Sequence, residues 1–449
     1  MASSSSQANP ATPAPDEAPQ ISPRQRRNAI AASVLGWSLD LFDLFILLYV
    51  APVVSVLFFP SSQPTLSLAA VYASSAVALI IRPLGSAVFG HYADLYGRKG
   101  AMTVALVGTG VSTAAFGLLP TIHQAGIIAP VLFLILRLVQ GMFIGGVVAA
   151  THTIGTESVA PRWRGTMSGF VGGGAALGAL LAALVFWIVS SIFPGDAFAV
   201  WGWRCMFFSG LLSAVLGLFI FGNLEESPYF KQAQAARAQK RANAPRVSPV
   251  KTLFGGEYRK VLMFNLLITF GGGAAYYLTS GYMPSFLRLV NGLPNSEASR
   301  ILIWASVCAF FASLFVGFIS DFIGRKLAFL ALGVPALILL PILFNGMGQA
   351  TDAATILPYA LGIAFLGNAA YAPILIFLNE RFPTALRATG TGLSWNIGFA
   401  IGGLTPTFVS LAANTMADVP RILGYFSIGA FAVYILGALV IRETRGNFR

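Results

Sequence analysis

The stretch "GHYADLYGRKG" at residues 90–100 returns as "GFISDFIGRKL" at 317–327, and the two share the pattern G-x-x-x-D-x-x-G-R-K. A pattern this specific, repeated within one chain, marks an internal duplication. A second pair follows at a similar offset: "APRWRGTMSG" at 160–169 and "FPTALRATGTG" at 382–392 each set a proline and an arginine before a glycine-rich stretch. The chain therefore reads as two copies of one unit.

Around these motifs the sequence is apolar. Of 449 residues, 56% are hydrophobic and 10% charged, a make-up that excludes an ordinary water-soluble globule. Windows of about 20 apolar residues, the length a helix needs to cross ~30 Å of hydrocarbon, recur along nearly the whole chain. Twelve are expected, among them 29–57, 100–120 and 387–413. The expected fold is all-α: twelve transmembrane helices in two six-helix, pseudo-symmetric bundles at residues 29–224 and 259–442. Six helices return each copy to the side where it began, so both copies keep one topology. Residues 1–28, rich in Ser, Pro and Ala, read as a disordered tail, 225–258 as a basic linker loop and 443–449 as a second tail.

Lys and Arg mark the cytoplasmic side. With the amino terminus inside, Arg24, Arg26 and Arg27, the pairs Arg98/Lys99, Arg162/Arg164, Arg325/Lys326 and Arg381/Arg387, the linker and the last residues all fall on one side. Both termini are thus expected in the cytoplasm of a multi-pass protein of a bacterial inner membrane. The net charge of +12 is a topology signal and not a nucleic-acid footprint. Cys205 and Cys308 lie in separate spans and form no disulfide framework.

Within "GWSLDLFDLFILLY" at 36–49, Asp40 and Asp43 stand three positions apart and share a helix face. At 1.5 Å per residue they lie roughly 16 to 21 Å from the cytoplasmic edge, Arg82 roughly 18 Å and Arg137 roughly 15 Å from their nearest edges. A charge at the bilayer centre costs ~2.5 to 3.5 kcal/mol, so it persists only when paired or hydrated. One reading is a structural ion pair of Asp40 or Asp43 with Arg82 or Arg137. Buried ion pairs stabilise weakly against apolar packing, which gives no reason for four charges at one depth. The other reading is a switch in which Arg137 neutralises Asp43 until an incoming carboxylate takes the arginine and the aspartate takes a proton. The second half offers neutral partners for cargo, Tyr276, Asn368, Tyr371, Trp395 and Asn396, although any one of them taken singly fits a helix–helix contact better than a ligand role.

Twelve spans, a long central loop and G-x-x-x-D-x-x-G-R-K after the second helix resemble the major facilitator superfamily. "GWSLDLFDLFILLY", "IIRPLGSAVFGHYADLYGRKG", "EESPYF" and "RFPTALRATGTGLSWNIGFAIGGLTP" resemble its metabolite:proton symporter group, and the spelling of the first helix is similar to the related sialate and lactate:proton symporters. The resemblance implies a monomeric secondary transporter that works by alternating access on the proton-motive force, with no cofactor. It also implies that Asp94, Arg98, Glu157 and Arg164 latch the cytoplasmic side when the carrier faces outward. Asp321 and Arg325 occupy the matching places in the second copy.

The functional expectation is proton-coupled symport of a small organic anion through Asp40 and Asp43, with Arg82 and Arg137 in the binding site. The alternatives are an uncoupled facilitator, a proton symporter of a zwitterionic osmolyte, or a membrane sensor that reuses the fold. An enzyme is not expected, because three His and two Cys lie scattered and assemble neither a metal set nor a nucleophile with its base.

Overall fold

Residues 22–96, 98–157, 159–222, 253–382 and 387–446 are described in the structure, a computed structural model, and their regular elements are all helical. The long helices are α1 (Pro23–Phe58), α2 (Pro64–Tyr96), α3 (Arg98–Phe116), α4 (Ile128–Glu157), α5 (Arg164–Ile192) and α6 (Gly210–Gly222). After the linker come α7 (Gly256–Tyr276), α8 (Asn295–Ile323), α9 (Arg325–Gln349), α10 (Ala353–Tyr371), α11 (Arg387–Gly402) and α12 (Val419–Val440). Among the described residues, 10 segments are long and apolar enough to cross a membrane. The expected span 100–120 appears as the shorter apolar helix Thr103–Phe116. The expected span 387–413 is divided into α11 and Thr405–Ala412, whose first turn holds Pro406. A proline fits a first helical turn, where its missing N–H costs nothing, so the break falls just before it.

The first boundary needs correction. α1 begins at Pro23 and not at residue 29, because Ser22 and Gln25 form a capping box, each side chain accepting a bond from the other's backbone N–H at 3.2 and 3.1 Å. Residues 23–28, expected in the tail, therefore belong to the helix, and residues 1–21 lie outside the described set. Further along, α1 is buried on every side: Phe42, Phe45, Ile46, Leu47 and Val50 are all at most 1% exposed. A helix apolar all round belongs in a core, and a short carboxylate on it cannot reach water by bending outward.

Two helices break at mid-course. α7 runs into a π turn at Tyr277–Gly281, and a second follows at Phe286–Val290. α10 stops at Tyr371 and resumes at Ile374–Arg381 after Pro373, which cannot supply a helix N–H. Such breaks gather at functional sites in membrane proteins.

The two copies meet through matching partners. α5 packs on α8, and α2 packs on α11 and its continuation Thr405–Ala412, so the fifth helix of each copy lies on the second helix of the other. The α5–α8 crossing is backbone on backbone: a Cβ on Gly317 would stand 2.6 Å from the Gly169 Cα and 2.6 Å from the Gly165 carbonyl oxygen. Overpacking such a contact costs about 1–3 kcal/mol. Gly317→Val is therefore expected to lower the melting temperature and to speed alkylation of a Thr166→Cys reporter, measured against the reporter alone in membrane vesicles.

Candidate functional site

The four expected midplane charges sort into two groups instead of one. Asp43 turns into the first half, where the Ser213 hydroxyl donates to both of its oxygens at 3.0 and 3.3 Å and the Thr113 hydroxyl lies beside it. Arg137 donates to Gln140 Oε1 at 2.6 Å, and Gln140 Nε2 donates to Thr113 Oγ1 at 2.7 Å. The Arg137 guanidinium lies over the rings of Phe116 and Phe133, 4.6 and 5.4 Å from their centroids. The expected Asp43–Arg137 ion pair is not formed. Gln140 and the Thr113 hydroxyl, which depth and charge could not reveal, stand between the two groups.

Asp40 faces the other way, into the junction of the two halves. It is 1% exposed, and neither of its oxygens has a hydrogen-bond partner among the described residues. Arg82, 7% exposed, is the cation whose field reaches it, and the two make no ion pair within bonding distance. Tyr276, Tyr277 and Tyr371 are near enough to feel the Asp40 charge. All three stand at the breaks of α7 and α10, so the interruptions bring their rings to this depth.

The rings form a continuous cluster. Tyr276 stacks on Tyr371 at 5.0 Å and 29°. Tyr371 meets the edge of Trp395 at 5.3 Å, Trp395 stacks on Phe399 at 3.8 Å and packs edge-on against Trp37 at 5.7 Å. Trp37, which no sequence signal singled out, comes from the turn of α1 that precedes Asp40. The Tyr276 hydroxyl, the Asn396 Oδ1 and the Arg82 Nε join the Asp40 oxygens as buried polar atoms with no partner among the described residues. Asn396 lies on α11 beside Trp395, and Gly403, just past the end of α11, abuts Leu79 of α2 and Tyr277. Buried polar groups are almost always matched, so a concentration of unmatched ones with both charge signs marks a place built for a polar guest.

Asn368 is different. Its amide donates to Ser280 Oγ at 2.9 Å and to the Ala364 carbonyl at 3.0 Å, so it ties α10 to the π turn after α7. It also lines a cavity of about 20 Å³ with Phe45, Tyr49 and Tyr276, room for about one water. The centre is closed on the side away from Asp321 as well. There Tyr72 of α2 stacks on Tyr282 at 5.1 Å and donates to Ser285 Oγ at 2.9 Å, while the Tyr282 and Ser410 hydroxyls bond at 2.9 Å.

At the opposite end, Asp321 of α8 accepts bonds from Gly165 N at 2.8 Å and from Thr166 N and Oγ1 at 2.7 and 2.8 Å. A carboxylate thus caps the first turn of α5, where free N–H groups and the helix dipole favour negative charge. A Cβ at Gly165 would collide with that carboxylate. Arg325 bridges Asp321 at 3.1 Å and grips Glu380 at 3.1 and 3.3 Å, and the Thr444 hydroxyl donates to Glu380 at 2.8 Å. Arg164 begins α5 and is half-buried. The side chains of Asp94, Arg98 and Glu157 lie outside those described. Glu380 and Glu443 were not foreseen, and Glu443 and Thr444 fell in an expected tail.

Glu443 accepts from the backbone N–H groups of Arg325 and Lys326, each at 2.9 Å, and so caps α9. Burial alone would raise its carboxyl, but the backbone N–H groups of Arg445, Arg325, Lys326 and Thr444 outweigh burial and hold it below the usual carboxylate range. A lowered pKa adds stability above the unfolded value of about 4.3, and that stability fades as pH falls through the folded value. Glu443→Gln is therefore expected to lower the melting temperature at neutral pH. In detergent melts across pH, the gap to the parent protein should narrow below about pH 4.

Comparison with known proteins agrees with this architecture. Residues 29–406 match the family model described as Major Facilitator Superfamily. The inner membrane metabolite transport protein YhjE of Escherichia coli strain K12 is 29% identical over 441 residues, covering 96% of this chain and 97% of that protein. A proline/betaine transporter of Salmonella typhimurium is 30% identical over 431 residues, covering 93% and 84%. Among solved structures, the partially occluded inward-open form of the xylose transporter XylE from E. coli aligns with a TM-score of 0.73 at 17% identity, covering 94% of this chain and 99% of that one. At that identity the likeness speaks for the fold alone.

Proposed function

Since the chain belongs to the Major Facilitator Superfamily, we propose that it carries a compact zwitterion of the betaine or proline kind across a bacterial inner membrane, together with a proton. One observation carries this reading: Asp40 and Arg82 lie buried and unmatched beside a cluster of tyrosine and tryptophan rings. A simple carboxylate would use Arg82 and leave the rings without work. A zwitterion uses both, its carboxylate on the guanidinium and its alkylated ammonium nitrogen over Tyr276, Tyr371 and Trp395, where cation–π attraction needs no counter-charge. The proline and betaine that name one relative have this chemistry.

Coupling follows from Arg82. When cargo carboxylate takes the guanidinium, Asp40 loses its neighbouring cation, and a proton takes that place. The buried site then holds paired charges and a neutral acid, the arrangement with the smallest desolvation cost. Cargo and proton each raise the other's affinity by the same factor. Asp43, held by Ser213, keeps α1 fixed against α6 and does not titrate in the cycle. Asp321 and Arg325, with Asp94, Arg98, Glu157 and Arg164 in the other copy, close the cytoplasmic side and release it when the helices part.

Two tests separate cargo from coupling. Glycine betaine and proline should raise the melting temperature of the detergent-purified protein, while a simple monocarboxylate should not, since only a ligand of the native state stabilises it. Arg82→Gln should weaken that binding by roughly 10- to 100-fold, the loss of charge-assisted bonds worth about 1.5–3 kcal/mol. Stabilisation by monocarboxylates alone would return the reading to an organic anion. In proteoliposomes, Asp40→Asn should keep counterflow of glycine betaine and lose its accumulation under an imposed pH gradient. Full accumulation by Asp40→Asn would end the assignment of the proton to that residue.

A further inference from the structure

The outer face of α1 carries charge in the wrong place for a helix. Its first turns hold Arg24, Arg26 and Arg27 with no acidic residue, although the amino end of a helix is already positive and favours acids. All three arginines are exposed, and among the described residues the Arg26 and Arg27 guanidinium groups make no ion pair or hydrogen bond. The capping box at Ser22 fixes this turn, so the charges are held on a rigid element. Their mutual repulsion and the helix dipole both favour an anion at this turn.

Beside them runs a groove of about 540 Å³ between α1 and α5. Arg26 and Arg27 line one end, and the rest of the wall includes Ile30, Val34, Phe170 and Leu177. Leu35, also in the wall, is 41% exposed on this outer face. From Arg27 to Leu35 the wall extends about 12 Å along α1 toward the middle of the membrane. One end of the groove is thus cationic and the remainder apolar.

From this polarity we infer that the groove is a binding site for one anionic phospholipid, its phosphate on Arg26 and Arg27 and one acyl chain along Ile30, Val34, Phe170 and Leu177. Arginine matches phosphate with paired N–H donors, which fixes the head. The apolar wall supplies no hydrogen bonds and suits a hydrocarbon chain. A soluble anion would satisfy the arginines and leave the wall unused, and a zwitterionic lipid would fill the wall and bring no net charge to the arginines. The bound lipid would relieve the charge at the start of α1 and fill the seam between α1 and α5, which flanks the contact of α5 with α8.

The experiment is binding of fluorescent phosphatidylglycerol and phosphatidylcholine to the delipidated full-length protein in detergent. Phosphatidylglycerol should bind one per protein and in preference to phosphatidylcholine. Each arginine near an anionic lipid is worth about a fivefold factor in affinity, so Arg26→Gln with Arg27→Gln should cut phosphatidylglycerol affinity about thirty-fold and leave phosphatidylcholine unchanged. Arg26→Lys with Arg27→Lys should retain most of the preference. Ala31→Trp, an exposed position on the groove wall, should fill the channel and weaken both lipids. Equal binding of the two lipids, a preference unaltered by the double glutamine variant, or competition by free glycerophosphate as strong as by the lipid would each overturn the site.

Discussion

The whole arrangement depends on the cost of leaving a carboxylate and a guanidinium unmatched inside a closed apolar core. Asp40 and Arg82 are almost fully buried, feel each other's field, and are not bonded to each other. Each side of that statement is expensive, since a buried charge without a partner costs several kcal/mol and packing in α1 leaves the aspartate no route to water. A protein keeps such a pair only if some state of its working cycle matches it. The rest of the fold positions the pair and holds it dry: breaks in α7 and α10 bring tyrosines to it, and α11 adds Trp395 and Phe399.

Closure at the two ends uses different chemistry. On the Asp321 side, a carboxylate sits on a helix amino terminus, backed by an arginine and a second carboxylate, over a crossing where glycines let backbones touch. Charge-assisted bonds of this kind are strong when dry and weaken when water enters, which suits a contact that must be both firm and breakable. On the other side the contacts are stacked tyrosines and neutral hydroxyl pairs. These lose little on hydration. The two ends therefore differ in how steeply their closure depends on keeping water out.

Much of this was legible in the sequence because it is written in long-range statistics. Apolar windows set the helical membrane fold, and the repeated G-x-x-x-D-x-x-G-R-K set the duplication, which the crossed pairing of α5 with α8 and α2 with α11 repeats in space. Depth counting set Asp40 and Arg82 at one level, and the field of Arg82 reaches Asp40. It failed for Asp43 and Arg137, because depth says nothing of azimuth. Three residues turn a helix through most of a circle, and the small difference that remains sent Asp43 toward Ser213 and Asp40 toward the second half. Trp37 and Gln140 went unread since an indole or an amide in an apolar span looks like packing. Pro373 after Tyr371 and the glycines before Tyr276 did carry a signal for the helix breaks, and those breaks put tyrosines in the site. Glu443 lay in a segment too short for any periodicity to show that it caps α9.

The most direct measurement is difference infrared spectroscopy of the purified protein with and without glycine betaine, in the region where a protonated carboxyl absorbs. Cargo is expected to produce a new protonated-carboxyl band that Asp40→Asn removes and Asp43→Asn leaves. A spectrum in which cargo binds without such a band, or in which the band survives Asp40→Asn and vanishes with Asp43→Asn, would contradict coupling through Asp40.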